Sequence, residues 1–148
     1  MMQCYWGKKI MNNYTLLKFN QLGDDRGHLV VAESMKEIPF EIRRIFYIYG
    51  TEEGVTRGQH ANRKSRFVLI NLRGSCKVLI DDGKSKNIVT LDQPHIGVYL
   101  DRMVWKDMYD FSPNSLLLVL SDEHYDGSEY IRNYDDYLYE IKLRGEVG

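Results

Sequence analysis

The sequence predicts an all-β fold, two packed sheets closed by one short C-terminal helix, and three observations carry that reading. Short runs of β-branched, aromatic and aliphatic residues recur at close spacing between turn-forming residues. The chain, 148 residues with 43% hydrophobic and 28% charged side chains, has the size and makeup of one domain around one core. After residue 126 the apolar spacing changes from that of a strand to that of a helix.

The strand segments, in order, are Tyr14–Phe19, His28–Glu33, Ile42–Tyr49, Phe67–Leu72, Ser75–Asp81, Asn87–Leu91, Gly97–Leu100, Val104–Tyr109 and Ser115–Ser121. Turn signals separate them at Asp24 to Gly27, Gly50 to Gly54, Arg73-Gly74, Asp82-Gly83 and Ser112-Pro113-Asn114. Val68, Ile70 and Leu72 alternate on one face, and Cys76, Val78 and Ile80 continue in phase, which predicts an antiparallel hairpin about Arg73-Gly74. Tyr130, Tyr134, Tyr137, Leu138 and Ile141 fall at helical spacing, so a C-terminal helix is expected to lay that stripe on a sheet, its tyrosines serving as packing. There are no internal repeats or low-complexity tracts, so residues 14–148 are expected to form a single domain behind a flexible segment, residues 1–13.

Net charge is -1 and no run of lysine and arginine appears, which removes the footprint of a nucleic-acid binder. One diphosphate needs only a few well-placed cations, so a nucleotide remains a possible ligand. The longest apolar stretch, Ser115–Ser121, is far shorter than the roughly 20 residues that span a bilayer. The first ten residues lack an apolar core of secretory length, and Cys4 and Cys76 lie in dissimilar contexts, so a cytoplasmic protein without disulfides and without membrane association is expected.

The stretch that carries chemistry runs Gly54-Val-Thr-Arg-Gly-Gln-His60-Ala-Asn62-Arg-Lys-Ser-Arg66, followed after a strand by Gly74. This spacing resembles the first motif of the cupins, where two histidines separated by one residue point into a barrel and a later carboxylate and a third histidine complete a metal's shell. Here His60 keeps the first ligand position, Asn62 occupies the second, Arg66 the carboxylate's and Lys106 the late histidine's. Two of those replacements are cations, so no metal or other cofactor is expected. His28, His95 and His124 are scattered and read as surface or loop residues. The fold class is thus an all-β, RmlC-like cupin, a double-stranded β-helix jelly roll with a short C-terminal helix.

From about Leu17 to Tyr137 the chain also resembles a particular cupin family, the dTDP-4-keto-6-deoxyglucose 3,4-ketoisomerases. The resemblance is carried in order by Asp25-Arg26-Gly27, Ile38-Pro39-Phe40, Arg43 to Tyr47, Arg57-Gly58-Gln59-His60-Ala61, Gly74-Ser75-Cys76 and Asp81-Asp82-Gly83. It continues through Trp105, Met108 to Ser112 and Tyr130-Ile131-Arg132. What it implies is a metal-free isomerase of nucleotide-linked deoxy sugars, working in deoxyamino-sugar biosynthesis for surface polysaccharide, with a homodimer paired through sheet edges.

In that family the motif reads Arg-Gly-x-His-Ala-His and its histidines handle protons; by resemblance His60 matches the first, and Asn62 stands where the second would be. A 3,4-ketoisomerase removes a proton at C3 of a 4-keto sugar, passes through an enediol and returns a proton at C4. His60 suits the base or shuttle, and the Asn62 amide can donate to an enediolate oxygen without exchanging protons. Lys106 has two readings: inward, where burial and a like charge at Arg66 would make a neutral amine available as base, or outward to solvent. Tyr47 is a candidate acid or a core aromatic. Arg26, Arg44, Arg57 and Arg66 are the candidate substrate-binding cations, since forked guanidinium groups suit phosphate oxygens. The alternative function is a cupin that binds a nucleotide-linked sugar without turning it over, or with altered chemistry, suggested by Asn62, Arg66 and Lys106.

Overall fold

The computed structural model describes residues 14–147; the expectation for residues 1–13 lies outside the described residues. The order is β1 (Tyr14–Lys18), β2 (Leu22–Asp24), β3 (Gly27–Leu29), β4 (Arg44–Tyr49), β5 (Arg57–Asn62), β6 (Phe67–Arg73) and β7 (Cys76–Asp81). Then come β8 (Lys86–Leu91), β9 (Ile96–Leu100), β10 (Trp105–Tyr109), β11 (Leu116–Ser121), a single 3₁₀ turn (Gly127–Glu129), β12 (Tyr130–Ile131) and α1 (Tyr134–Val147). Two antiparallel five-stranded sheets result, ordered β1-β9-β6-β11-β4 and β12-β5-β10-β7-β8, with β2 and β3 as a separate hairpin. The expected all-β jelly roll with one terminal helix is what forms. Among the described residues no helix is long and apolar enough to cross a membrane.

The main core lies between the sheets, where Phe67, Leu69, Val98 and Leu117 of the first face Val78, Ile80 and Met108 of the second. Each sheet is also covered on part of its outer face. Ile38 and Phe40, from the connection between β3 and β4, pack with Leu17 and Phe19 on Val68 and Ile70. On the second sheet, Tyr137 of α1 is fully buried with Trp105, Ala61 and Ile131. Its hydroxyl lies 3.0 Å from the Asp81 carbonyl and 2.8 Å from that of Met103, which ties the helix to the ends of β7 and the β10 approach.

Three local expectations are corrected. Phe67–Leu72 and Ser75–Asp81 do not form a hairpin: β6 pairs with β9 and β11, β7 with β8 and β10, and the chain crosses between sheets at Gly74. On β6 Phe67 and Leu69 face the main core with Cys76, Val78 and Ile80, so Val68 and Ile70, on the opposite face, are out of phase with those three rather than in phase; because residues 67–71 are buried on both faces, alternation carries no phase information there. The helix begins at Tyr134, and Tyr130 instead pairs with Asn62 as part of β12.

Candidate active site

A cavity of about 140 Å³ opens between the sheets. Phe46, Ile48, Phe67, Leu69 and Val119 of the first sheet form its apolar wall, and His60, Lys106, Met108, Arg57, Gly58 and Tyr130 close the other side. Strand alternation explains the polar wall: on β10, Trp105 turns outward under α1 while Lys106 and Met108 turn inward. On β5, Ala61 faces the helix side, leaving His60 on the cavity and Asn62, 1% exposed, within reach of Lys106.

Strand β5 reaches this geometry through a bulge. Its register with β10 runs Lys106 opposite His60 and then Asp107 opposite Gly58, so Gln59 is the extra residue. Gly58 and Gln59 both have positive φ, 81° and 57°. A Cβ on Gly58 would sit 2.9 Å from the Lys106 carbonyl oxygen, so glycine permits the close approach of the two strands that brings Lys106 beside His60.

The electrostatics follow from burial. Lys106 is 3% exposed; its Nζ lies 4.9 Å from the centre of the Phe67 ring and donates to Asn62 Oδ1 at 3.4 Å. Burial pushes its ammonium down to about 7, and Glu129 acts in the opposite sense. Burial also pushes His60 down to about 4, with the Lys106 charge adding to the effect, the Gly58 backbone opposing it and the Arg132 charge adding a little more. At neutral pH the imidazole is therefore uncharged and the lysine lies near its midpoint. The His60 Nδ1, Asn62 Nδ2 and Arg44 Nε atoms are buried without a partner. Among the described residues no three His, Cys, Asp or Glu side chains converge to hold a metal ion.

The family model described as FdtA: WxcM-like, C-terminal, matches residues 12–142. The chain belongs to this family. It is 42% identical over 134 residues to TDP-4-oxo-6-deoxy-alpha-D-glucose-3,4-oxoisomerase of Aneurinibacillus thermoaerophilus, covering 88% of this chain and 96% of that one. A TDP-fucose-3,4-ketoisomerase from Campylobacter jejuni is 45% identical, with a TM-score of 0.84 over 87% of this chain and 96% of that one. A 3,4-ketoisomerase from Thermoanaerobacterium thermosaccharolyticum, solved as a His-to-Asn variant with TDP-4-keto-6-deoxyglucose, is 40% identical. Its TM-score is 0.88 over 91% of this chain and 98% of that one. A dTDP-4-dehydrorhamnose 3,5-epimerase from Bacillus anthracis, 16% identical with a TM-score of 0.73 over 88% of this chain and 82% of that one, shares the fold.

Within this FdtA-family chain the structure gathers His60, Lys106 and Arg57 at the cavity, holds Asn62 against Lys106 and sets Arg44 beside them. The Arg44 guanidinium carbon lies 5.4 Å from the Phe46 ring, 5.9 Å from Phe67 and 5.6 Å from Tyr125. Tyr47, by contrast, points outward and is 61% exposed, because β4 turns Arg44, Phe46 and Ile48 inward and the intervening residues out. Arg26 is on the β2–β3 hairpin, its side chain 87% exposed and paired with Asp24 at 2.7 Å. Arg66 follows β5 rather than lying on it; it is paired with Asp122 at 2.7 Å and lies over the Phe40 ring, so it is not the like charge that lowers Lys106.

Sequence reasoning missed Tyr130, whose ring lies 4.7 Å from that of His60, with the Arg132 guanidinium 4.6 Å from it and Tyr125 at 5.7 Å. The signal was the Tyr130-Ile131-Arg132 triplet, but its helical spacing with Tyr134 and Tyr137 disguised it as packing. It missed Glu129 as well, a carboxylate only 4% exposed.

Proposed function

We propose that this protein isomerises a TDP-linked 4-keto-6-deoxyhexose to its 3-keto form, with His60 and Lys106 handling the protons. The observation that carries the site assignment is the pairing of these two residues directly across β5 and β10, on one wall of an otherwise largely apolar cavity. Two cations so placed repel, so above the His60 range the pair holds at most one titratable proton, which sits on the lysine and is half lost at neutral pH.

In the proposed mechanism the neutral Lys106 amine takes the proton from C3. The C–H electrons form the C3–C4 double bond, and the carbonyl electrons move onto O4. The unpartnered Asn62 amide and the uncharged imidazole are the available hydrogen-bonding groups for that oxygen. His60 then carries the O3 proton to O4 as the C3 carbonyl forms, and the Lys106 ammonium delivers its proton to C4. No redox partner enters, since the carbon oxidised and the carbon reduced are neighbours in one molecule. With a conjugate acid near pKa 4, His60 is the weaker base of the two, which shifts the abstracting role from the motif histidine to Lys106.

For the nucleotide, Arg44 and Arg57 supply guanidinium groups at the cavity and Arg132 a third beside Tyr130, with Tyr125 and Tyr130 as ring surfaces at its edge. The buried, unpartnered Nε of Arg44 favours an anionic ligand. We also propose that residues 14–148 act as one domain, that the protein works in the cytoplasm and that it is a homodimer joined through sheet edges. The outer edges of β1 and β4 support the dimer, as does the exposed row Ile45, Tyr47 and Tyr49 on β4.

The test is to supply TDP-4-keto-6-deoxyglucose labelled with carbon-13 at C3 and C4 and to follow the ketone by NMR. Movement of the ketone signal from C4 to C3 is expected. Saturable TDP-sugar binding with the ketone left at C4 would instead establish the binding-only alternative that Asn62 suggests.

A further inference from the structure

Tyr130 lines the cavity, yet the mechanism above gives it no part in moving protons. It reaches the site from β12, where Tyr130 stands opposite Asn62 and Ile131 opposite Ala61 on β5. Alternation buries Ile131 under α1 with Ala61 and Trp105, and leaves Tyr130 on the cavity face. From there it meets His60 diagonally across the strand pair, a separation that an aromatic side chain spans. The two ring centres are 4.7 Å apart and the planes are inclined at 54°, within the range of attractive ring contact.

A histidine that moves protons commonly has its second nitrogen held by a hydrogen bond, which fixes both the ring and its tautomer. His60 is not held in that way. Its Nδ1 is buried without a partner, and the Gly58 backbone acts on the imidazole without closing a hydrogen bond to that atom. Lys106, opposite on β10, offers no acceptor while it is protonated. Among the described residues, the contact left to fix the imidazole is the Tyr130 ring. That ring is itself well anchored, with the Arg132 guanidinium 4.6 Å from its centre. The 3₁₀ turn before it is tied to the chain leaving β5: the Glu129 carboxylate accepts from the Lys64 and Ser65 backbone N–H groups at 2.9 Å, and the Glu129 carbonyl accepts from Arg63 N at 3.0 Å.

We propose that Tyr130 is a positioning residue for the isomerisation, its ring holding the His60 imidazole in the orientation that carries the O3 proton to O4. This rests on the reading of His60 as that proton carrier. Lys106 takes the C3 proton, so loss of the ring should slow one half of the reaction and spare the other. An enediolate whose O3-to-O4 transfer is slowed takes a proton back at C3 instead, and in deuterated buffer it returns as substrate carrying deuterium there.

The experiment incubates wild type, Tyr130→Leu, Tyr130→Phe, Arg44→Ala and His60→Asn with saturating TDP-4-keto-6-deoxyglucose in deuterated buffer. NMR reads the deuterium gained at C3 of unreacted substrate for each molecule of 3-keto product formed. Tyr130→Leu should raise that ratio about tenfold, the effect of a misoriented reacting group, and His60→Asn should raise it at least as far. Tyr130→Phe keeps the ring and should bring the ratio back to that of wild type. Arg44→Ala removes a nucleotide-binding cation from the facing sheet and should leave the ratio in place. A ratio unmoved in Tyr130→Leu while His60→Asn raises it overturns this proposal alone. A ratio raised as far by Tyr130→Phe or by Arg44→Ala overturns it too. If Tyr130→Leu does not fold, Tyr130→Met, an unbranched replacement, is judged by the same criterion. A ratio unmoved in His60→Asn removes the reading of His60 as proton carrier, and this proposal falls with it.

Discussion

Lys106 is a buried amine held between Asn62 and the Phe67 ring. Burial takes its ammonium from the ordinary 10.5 to about 7. Between those pH values the unfolded chain holds a proton that the folded chain does not, so stability rises with pH across that window and is lost as pH falls through it. Lys106→Met should therefore raise stability at pH 7 by about 1–3 kcal/mol, with the difference shrinking toward pH 10, as urea melts at several pH values would record. The same substitution should lower kcat by about 10²-fold or more. Greater stability with less activity marks a residue retained for function. Of this site, the motif's fixed spacing singled out His60, Asn62 and Arg57 in the sequence, whereas Lys106 stood between an inward and an outward reading until the register of β10 on β5 turned it to the cavity. The place of Arg66 was not legible, because the chain turns after Asn62 and alternation ends there. Glu129 and Tyr130 were not, because a short turn and a two-residue strand leave no periodic signature.

At the scale of elements, β5 does the positioning, yet Arg-Gly-Gln-His-Ala-Asn has none of the β-branched or aromatic residues by which strands are recognised. It was visible as a motif and invisible as a strand. Its bulge makes a direct comparison possible, since Gly54 and Gly58 share a φ of 81° but only Gly58 approaches another backbone. Gly54→Ala should cost about 1 kcal/mol, the penalty of the left-handed conformation alone. Gly58→Ala should cost about 1–3 kcal/mol more and lower kcat disproportionately, because the added carbon forces β5 away from the Lys106 carbonyl; thermal melts and steady-state rates on both variants would check this. The false hairpin at Arg73-Gly74 has a related cause. A turn looks the same in sequence whether the next strand pairs with the last or crosses to the facing sheet, and the burial of residues 67–71 on both faces erased the phase that might have told them apart.

At the scale of the whole molecule, the jelly roll was legible because many short strands and one terminal helix admit few other two-layer arrangements. What single-chain periodicity does not encode is which outer faces are covered. Ile45, Tyr47 and Tyr49 are 60%, 61% and 70% exposed, and if a second copy covers them, Tyr47→Lys should shift sedimentation from dimer to monomer. An unchanged dimer would move the interface to another edge. Arg44→Ala should weaken TDP binding about tenfold or more in calorimetry, given its buried and unpartnered Nε.

The central claim, that Lys106 beside His60 moves a sugar proton, is tested most directly by incubating wild type and Lys106→Met with TDP-4-keto-6-deoxyglucose in deuterated buffer and following the C3 proton by NMR. Wild type should replace that proton with deuterium, and Lys106→Met should do so about 10²-fold more slowly while still binding TDP. Exchange at the same rate in both, or substrate bound by wild type with its C3 proton intact, would contradict the account.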